Sequence, residues 1–305
     1  MPTVAAALVP VALLIALGVA LKRAGFLPDA FWPGLDRLNY WLLFPALIFL
    51  SLANADAALE GAVPVALAIW AGLAAVAFGA MGLRRARAAA GPAYTSVFQG
   101  AIRFNSYVAF LVVPVLHPGS EALTALCVAL TVPVVNVLCV AVLARDGAGE
   151  ALRTRQVLTR IATNPLIVAS VLGAAAGRSE VPLGPFAAAL SMLGEASLAA
   201  GLLSVGATLR FRSVRASWRS VAASTAAKFV ALPLVTGAVA LALGLEPERV
   251  APLVLFQALP TASASYVLAR AMRGDETLMA SILAVQTVAA AGWLPLVHAV
   301  TSWLL

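Results

Sequence analysis

The sequence predicts an all-α polytopic membrane protein, and three observations carry that reading. Of 305 residues, 62% are apolar and only 11% are charged, against about 25% charged in a typical soluble domain. That leaves too little polar surface to cover a globule of this length. The apolar residues fall into ten runs, and a membrane-spanning helix needs about 20 such residues. The cations, finally, gather in alternate breaks between the runs. The excess of 20 Lys+Arg over 13 Asp+Glu, a net +7, would raise nucleic acid as a partner in a soluble protein. Here the expected partner is the lipid bilayer, and no nucleic acid.

The ten runs lie at about 4–21, 38–53, 61–83, 94–116, 121–143, 164–177, 184–208, 220–243, 250–272 and 278–304. The first is followed, not preceded, by Lys22 and Arg23, which reads as a retained helix with an exterior N-terminus rather than a signal peptide. The second and sixth are short for a bilayer. With that orientation the interior segments are about 22–37, 84–93, 144–163, 209–219 and 270–277. They collect 16 of the 20 cations, while the exterior segments hold only Arg178 and Arg249. Such a bias is what the positive-inside rule expects, and it places both termini outside. The remaining two cations, Arg103 and Lys228, fall inside runs. No connection is long enough for a separate soluble domain, so the chain divides into 1–143, a cytoplasmic connector at 144–163, and 164–305.

The two parts repeat each other. A shift of 155 residues superimposes Pro10 on Pro165 and Gly18 on Gly173, and Glu121 on Glu276; a shift of 158 sets Phe98-Gln99 on Phe256-Gln257. Each part has five runs, an odd number, so the second must enter the membrane upside down relative to the first. Inverted repeats are a recurring plan of secondary transporters, with the substrate site near the midplane where broken helices meet. A duplicated bundle with no transport role is the plain alternative.

Polar chemistry concentrates in the fourth and ninth runs. The fourth puts Gln99, Arg103, Asn105, Ser106 and Tyr107 at mid-depth, with Gln99, Arg103 and Ser106 on one helical face. A charge at the bilayer centre is costly unless it faces protein, a cavity or a partner. The ninth carries Pro260, followed by Thr261, Ser263 and Ser265; proline removes a backbone donor and frees a carbonyl of the preceding turn. Ser263 or Ser265 taken alone fits close helix packing better than binding. Lys228 fits snorkelling to the interface as well as a role in transport. Glu195, in the seventh run, is a candidate to pair with one of these cations or to relay a proton. Two cations and one acid within the runs favour an anionic ligand. Cys127 and Cys139 lie 12 residues apart on one run, roughly 18 Å along a helix and too far for a disulfide. There is no CxxC, HExxH or His–carboxylate cluster, so no metal, cofactor or catalytic residue is expected.

These residues resemble the auxin efflux carrier family, prokaryotic type, which includes bacterial carriers of dicarboxylates. The match rests on QALPTASASYVLARAMRGD (Gln257 to Asp275), ETLMASILAVQT (Glu276 to Thr287), RFNSYVAFLVVPVL (Arg103 to Leu116), TNPLIVASVLG (Thr163 to Gly173) and LSVGATL (Leu203 to Leu209), and it covers essentially the whole chain. The resemblance implies ten helices in two inverted five-helix repeats, like the bile-acid sodium symporters. It implies broken fourth and ninth helices that cross at the membrane centre, and interleaved scaffold and transport bundles moving as an elevator. Carried over by position, Asn105 and Pro260-Thr261 mark the crossover, with Ser106, Gln257 and Ser263 close by. The plant carriers have a long hydrophilic loop between the halves, which this chain lacks. The bile-acid symporters have a carboxylate in the ninth helix, also absent here, so Arg103 would supply the charge that sodium brings there.

The function expected from the sequence is thus a non-enzymatic secondary carrier of small organic anions, mono- or dicarboxylates or auxin-like acids, in a bacterial inner membrane. Substrate-binding candidates are Arg103, Asn105, Ser106, Gln257, Pro260, Thr261 and Ser263; coupling or charge-pair candidates are Glu195 and Lys228. A homodimer is the assembly to test. An anion channel or a non-transporting receptor on the same scaffold is the alternative; an intramembrane enzyme lacks a nucleophile–base pair.

Overall fold

The computed structural model describes residues 2–54, 61–85, 91–147, 163–178, 183–209 and 214–304. Most of the expected connector at 144–163 lies outside the described residues, as do Arg87, Arg153, Arg155, Arg160, Arg210 and Arg212.

All regular structure among the described residues is helical. The chain runs through α1 (Pro2–Arg23), α2 (Phe31–Leu38), a π-turn at Asn39–Leu43, α3 (Phe44–Ala53), α4 (Ala62–Arg85), α5 (Gly91–Ile102), α6 (Ser106–Leu116) and α7 (Glu121–Asp146). It continues through α8 (Pro165–Arg178), α9 (Gly184–Thr208), α10 (Trp218–Ala226), a second π-turn at Ala227–Ala231, α11 (Leu232–Ala242), α12 (Pro247–Gln257), α13 (Ser263–Ala271) and α14 (Glu276–Leu304). Seven helical stretches among the described residues are long and apolar enough to cross a membrane: Phe31–Ala53, Ala62–Gly82, Gly91–Leu116, Glu121–Asp146, Gly184–Thr208, Trp218–Ala242 and Glu276–Leu304. The chain is a multi-pass membrane protein.

The second apolar run is longer than its sequence suggests. Asp36 and Arg37 read as a break, yet the helix starts at Phe31 and gives 23 residues. The charge is accommodated because Ser204 donates a hydrogen bond to Asp36. The sixth run remains short, at 14 residues. The ninth forms two helices of 11 and 9 residues, neither long enough to span alone.

The chain separates into two compact, interleaved units: Met1–Ala62, Tyr107–Pro133 and Leu158–Ala207 in the first, and Val63–Ser106, Val134–Val157 and Thr208–Leu305 in the second. In lipid, burying Leu against Leu gains little, so helices are joined by close packing and polar contacts. The first unit uses both. A Cβ added at Gly173 of α8 would lie 2.5 Å from the Phe49 carbonyl oxygen of α3, so only glycine lets these backbones meet. Asn39 of the first π-turn accepts a hydrogen bond from Ser197 Oγ (2.5 Å) and donates one to the Ser197 carbonyl (3.0 Å).

The second unit is built around α5, buried from Tyr94 to Ile102. Val97 packs in a core with Val221 of α10, Ala269 of α13, and Leu278, Met279 and Ile282 of α14. One end of α5 is fastened to the turn before α14: Ser96 Oγ donates to the Asp275 carbonyl (2.7 Å), and the Asp275 amide donates to the Pro92 carbonyl (3.2 Å). The ends of α4 and α7 are joined by an Arg84–Asp146 ion pair at 2.6 Å.

Candidate functional site

Two helix interruptions lie within the second unit. The first follows α5, which stops at Ile102; Arg103, Phe104 and Asn105 are not helical, and α6 starts at Ser106. The second follows α12, which stops at Gln257, with 258–262 non-helical before α13. Interruptions leave backbone donors and acceptors without intrahelical partners, and membranes tolerate this only where protein, water or ligand satisfies them. Here part of the demand is met by joining the two interruptions. The Asn105 amide donates to the Pro260 carbonyl at 2.7 Å, and the rings of Phe104 and Phe256 lie 4.6 Å apart, tilted by 54°.

Gln286 of α14 adds a second link. Its Oε1 accepts from the Thr261 amide (2.9 Å) and its Nε2 donates to the Gly100 carbonyl in the last turn of α5 (3.0 Å). One fully buried carboxamide thus satisfies an acceptor before the first interruption and a donor within the second. Gly100 also lies hard against α10 and α14: an added Cβ would collide with Ser224 Oγ and Ile282 Cγ2. Ser224 in turn donates to the Val97 carbonyl at 3.0 Å. Gln286, Ser224 and Gly100 were not legible as site residues. A lone glutamine or serine in an apolar run carries no signal until its partner is known.

Of the expected binding residues, Asn105 and Pro260 meet directly, and the others lie at or beside the two interruptions. Gln257 and Thr261 are wholly buried, Asn105 and Ser263 nearly so, Pro260 is buried and Ser106 half-buried. Gln257 Nε2 donates to Thr236 Oγ1 (3.2 Å) and Thr261 Oγ1 lies 3.1 Å from Ser265 Oγ. Arg103 is 9% exposed. Its amide donates to the Gln99 carbonyl (2.9 Å) and its side chain hydrogen-bonds Cys139, but Nε and Nη1 have no partner. Gln99, one turn back, has neither end of its carboxamide paired, and Gln257 Oε1 is likewise unpaired. The restarting helix α13 has no side chain capping its N-terminus.

Comparison with protein families bears on what such a site is for. Residues 150–297 match a family model described as membrane transport protein. Over this stretch, just under half of its length, the chain is similar to that family. The match agrees with the resemblance to auxin efflux carriers over those residues. A search of the curated proteins gives no match. The family region contains Ser224, Lys228, the second interruption and Gln286; Gln99, Arg103 and Asn105 precede it.

Lys228 and Glu195 end up in different surroundings. Lys228 sits in the second π-turn, wholly buried, with no hydrogen-bond partner at Nζ. Snorkelling to an aqueous interface is thereby excluded for this side chain in this structure. Glu195 belongs to the first unit. It is exposed on α9 and accepts a hydrogen bond from Ser191 Oγ of its own helix (3.3 Å). Glu195 has no ion pair among the described residues. No group of three or more His, Cys, Asp or Glu among those residues is placed to hold a metal ion.

Proposed function

We propose that this protein is a secondary active transporter of small organic anions, mono- or dicarboxylates or auxin-like acids. The observation that carries the reading is a nearly buried guanidinium, Arg103, with two donor atoms unpaired, placed at a helix interruption that is hydrogen-bonded to a second one. A buried cation in an apolar unit is costly without a counter-charge. A carboxylate supplies that charge and takes bidentate hydrogen bonds from a guanidinium. The N-termini of α6 and α13 add positive ends of helix dipoles beside it. Ser106, Gln257, Thr261 and Ser263 provide polar atoms around the carboxylate, and the family match supports transport.

In this reading ten spans form two inverted five-helix repeats, 1–143 and 164–305, in a bacterial inner membrane with both termini exterior. The fourth and ninth spans cross at their interruptions. Alternating access runs by elevator-type movement of the bundle that holds the crossing, relative to a scaffold bundle. The test is uptake of labelled malonate and of indole-3-acetate by purified protein in liposomes, against protein-free vesicles. One of the two is taken up by the wild type, and Arg103→Gln lowers that uptake at least tenfold while the protein remains folded. Uptake of neither, or uptake unchanged in Arg103→Gln, overturns the assignment.

A further inference from the structure

Lys228 is not used by the site as described, and its placement is unusual. It lies in the π-turn that interrupts the helix over Trp218–Ala242, and π-turns in α-helices are frequent at functional positions. Its depth within the second unit can be read from neighbouring contacts. Val97, Val221 and Leu278 share one core layer. Gly100, Ser224, Ile282 and Gln286 form the next. Lys228 follows Ser224 by four residues, just past the end of α10, and Arg103 and Phe104 follow Gly100 by three and four, just past the end of α5. Beyond it, Phe229 stacks on Trp293 of α14, rings 5.7 Å apart and 4° from parallel. Lys228 therefore occupies the same layer as the interruption.

Nothing in the described surroundings balances a charge there. Besides α10 and α11, the π-turn packs against α5 and α14. The titratable or charged groups on these elements are Arg219 on α10, Tyr94 on α5 with Arg103 just past its end, none on α11, and Glu276 and His298 on α14. Glu276 lies in the first turn of α14, half-exposed, beside Arg270 at 3.9 Å. An ammonium there would bury three unsatisfied donors with no acid facing it from these elements. A neutral amine avoids that cost, and a bound carboxylate removes the reason for it.

We propose that Lys228 is the proton-coupling residue of the carrier: a neutral amine when the interruption is empty and an ammonium when a carboxylate lies there. This rests on the anion-carrier reading above. The amine nitrogen takes one proton from the side on which the anion enters and releases it on the side where the anion leaves. Only an N–H bond is made and broken, so one proton accompanies each anion.

The test uses liposomes containing the full chain, labelled malonate, and the membrane potential clamped at zero with potassium and valinomycin. With the interior one pH unit more alkaline, the wild type accumulates malonate about tenfold, as one proton per anion requires. Lys228→Met and Lys228→Arg both lose this accumulation; the arginine keeps the positive charge but does not release its proton. In thermal-shift binding, wild-type malonate affinity falls with rising pH across the alkaline range, whereas Lys228→Arg shows no such fall. If wild-type uptake proceeds but ignores the pH gradient, the coupling is overturned and the carrier reading stands. If Lys228→Met or Lys228→Arg still accumulates malonate with the gradient, Lys228 is not the coupling group. If the wild type transports indole-3-acetate but no malonate, the same gradient is applied to that anion at a pH where it is ionised. If neither anion moves or binds, the carrier reading itself fails.

Discussion

The two π-turns make opposite use of a polar residue. In the first unit, Asn39 opens a π-turn and both ends of its carboxamide are paired with Ser197. In the second, Lys228 sits in a π-turn with no partner at all. The contrast extends to their surroundings. The unpaired buried side-chain atoms of the first unit are hydroxyls and an indole nitrogen, at Trp32, Ser120, Thr124 and Thr131. Those of the second include a guanidinium, a lysine amine and carboxamide atoms of Gln99 and Gln257. An unpaired hydroxyl costs about 1–3 kcal/mol, and an unpaired charge in apolar surroundings costs more. A polar group that serves packing is satisfied by its neighbour. One kept unsatisfied at such a cost is explained by a ligand that completes it.

Gln286 belongs to the second unit yet has both ends of its carboxamide paired. Gln286→Leu strands the Gly100 carbonyl and the Thr261 amide together. We expect a loss of roughly 2–6 kcal/mol, since each of the two stranded buried groups costs about 1–3 kcal/mol, together with a fall in carboxylate uptake of more than tenfold. Chemical denaturation in detergent and liposome uptake read the two effects. Stability within 1 kcal/mol of wild type would show that the two interruptions do not depend on this bridge.

Asn39→Leu and Lys228→Met sharpen the same contrast because their stability effects should have opposite signs. Removing Asn39 breaks two buried hydrogen bonds and destabilises by about 1–3 kcal/mol. Uptake per folded molecule stays at the wild-type level. Removing Lys228 relieves an unsatisfied group and stabilises the empty protein by about 1–3 kcal/mol, read as a higher unfolding temperature without substrate. Equal signs would mean that both residues are simply structural.

Arg103 and Lys228 stood out in the sequence because a cation within an apolar run has no cheap explanation. The second interruption was signalled by Pro260 together with the polar residues after it; proline alone does not decide, since Pro114, Pro133 and Pro295 lie inside continuous helices. The first contains neither Pro nor Gly between Arg103 and Asn105, so only its polar run hinted at it. Asp36-Arg37 looked like a boundary because the hydroxyl that satisfies Asp36 is 168 residues away. Gln286 was silent for the same reason: its worth lies in two backbone groups from other elements, and no local pattern encodes them.

The smallest expected effect is at Glu195, and it separates the two coupling candidates read from the sequence. Glu195 is exposed and held only by Ser191 of its own helix, at 3.3 Å. A neutral, isosteric glutamine keeps that contact, because its carbonyl oxygen accepts as the carboxylate does. Exposed substitutions of this kind change stability by no more than about 0.5 kcal/mol. Glu195→Gln should therefore unfold with wild-type and still accumulate malonate about tenfold per pH unit, as one proton per anion requires. If the response to the proton gradient vanishes in Glu195→Gln and persists in Lys228→Met, the proton travels on the carboxylate of the first unit. The unpaired lysine would then need another explanation.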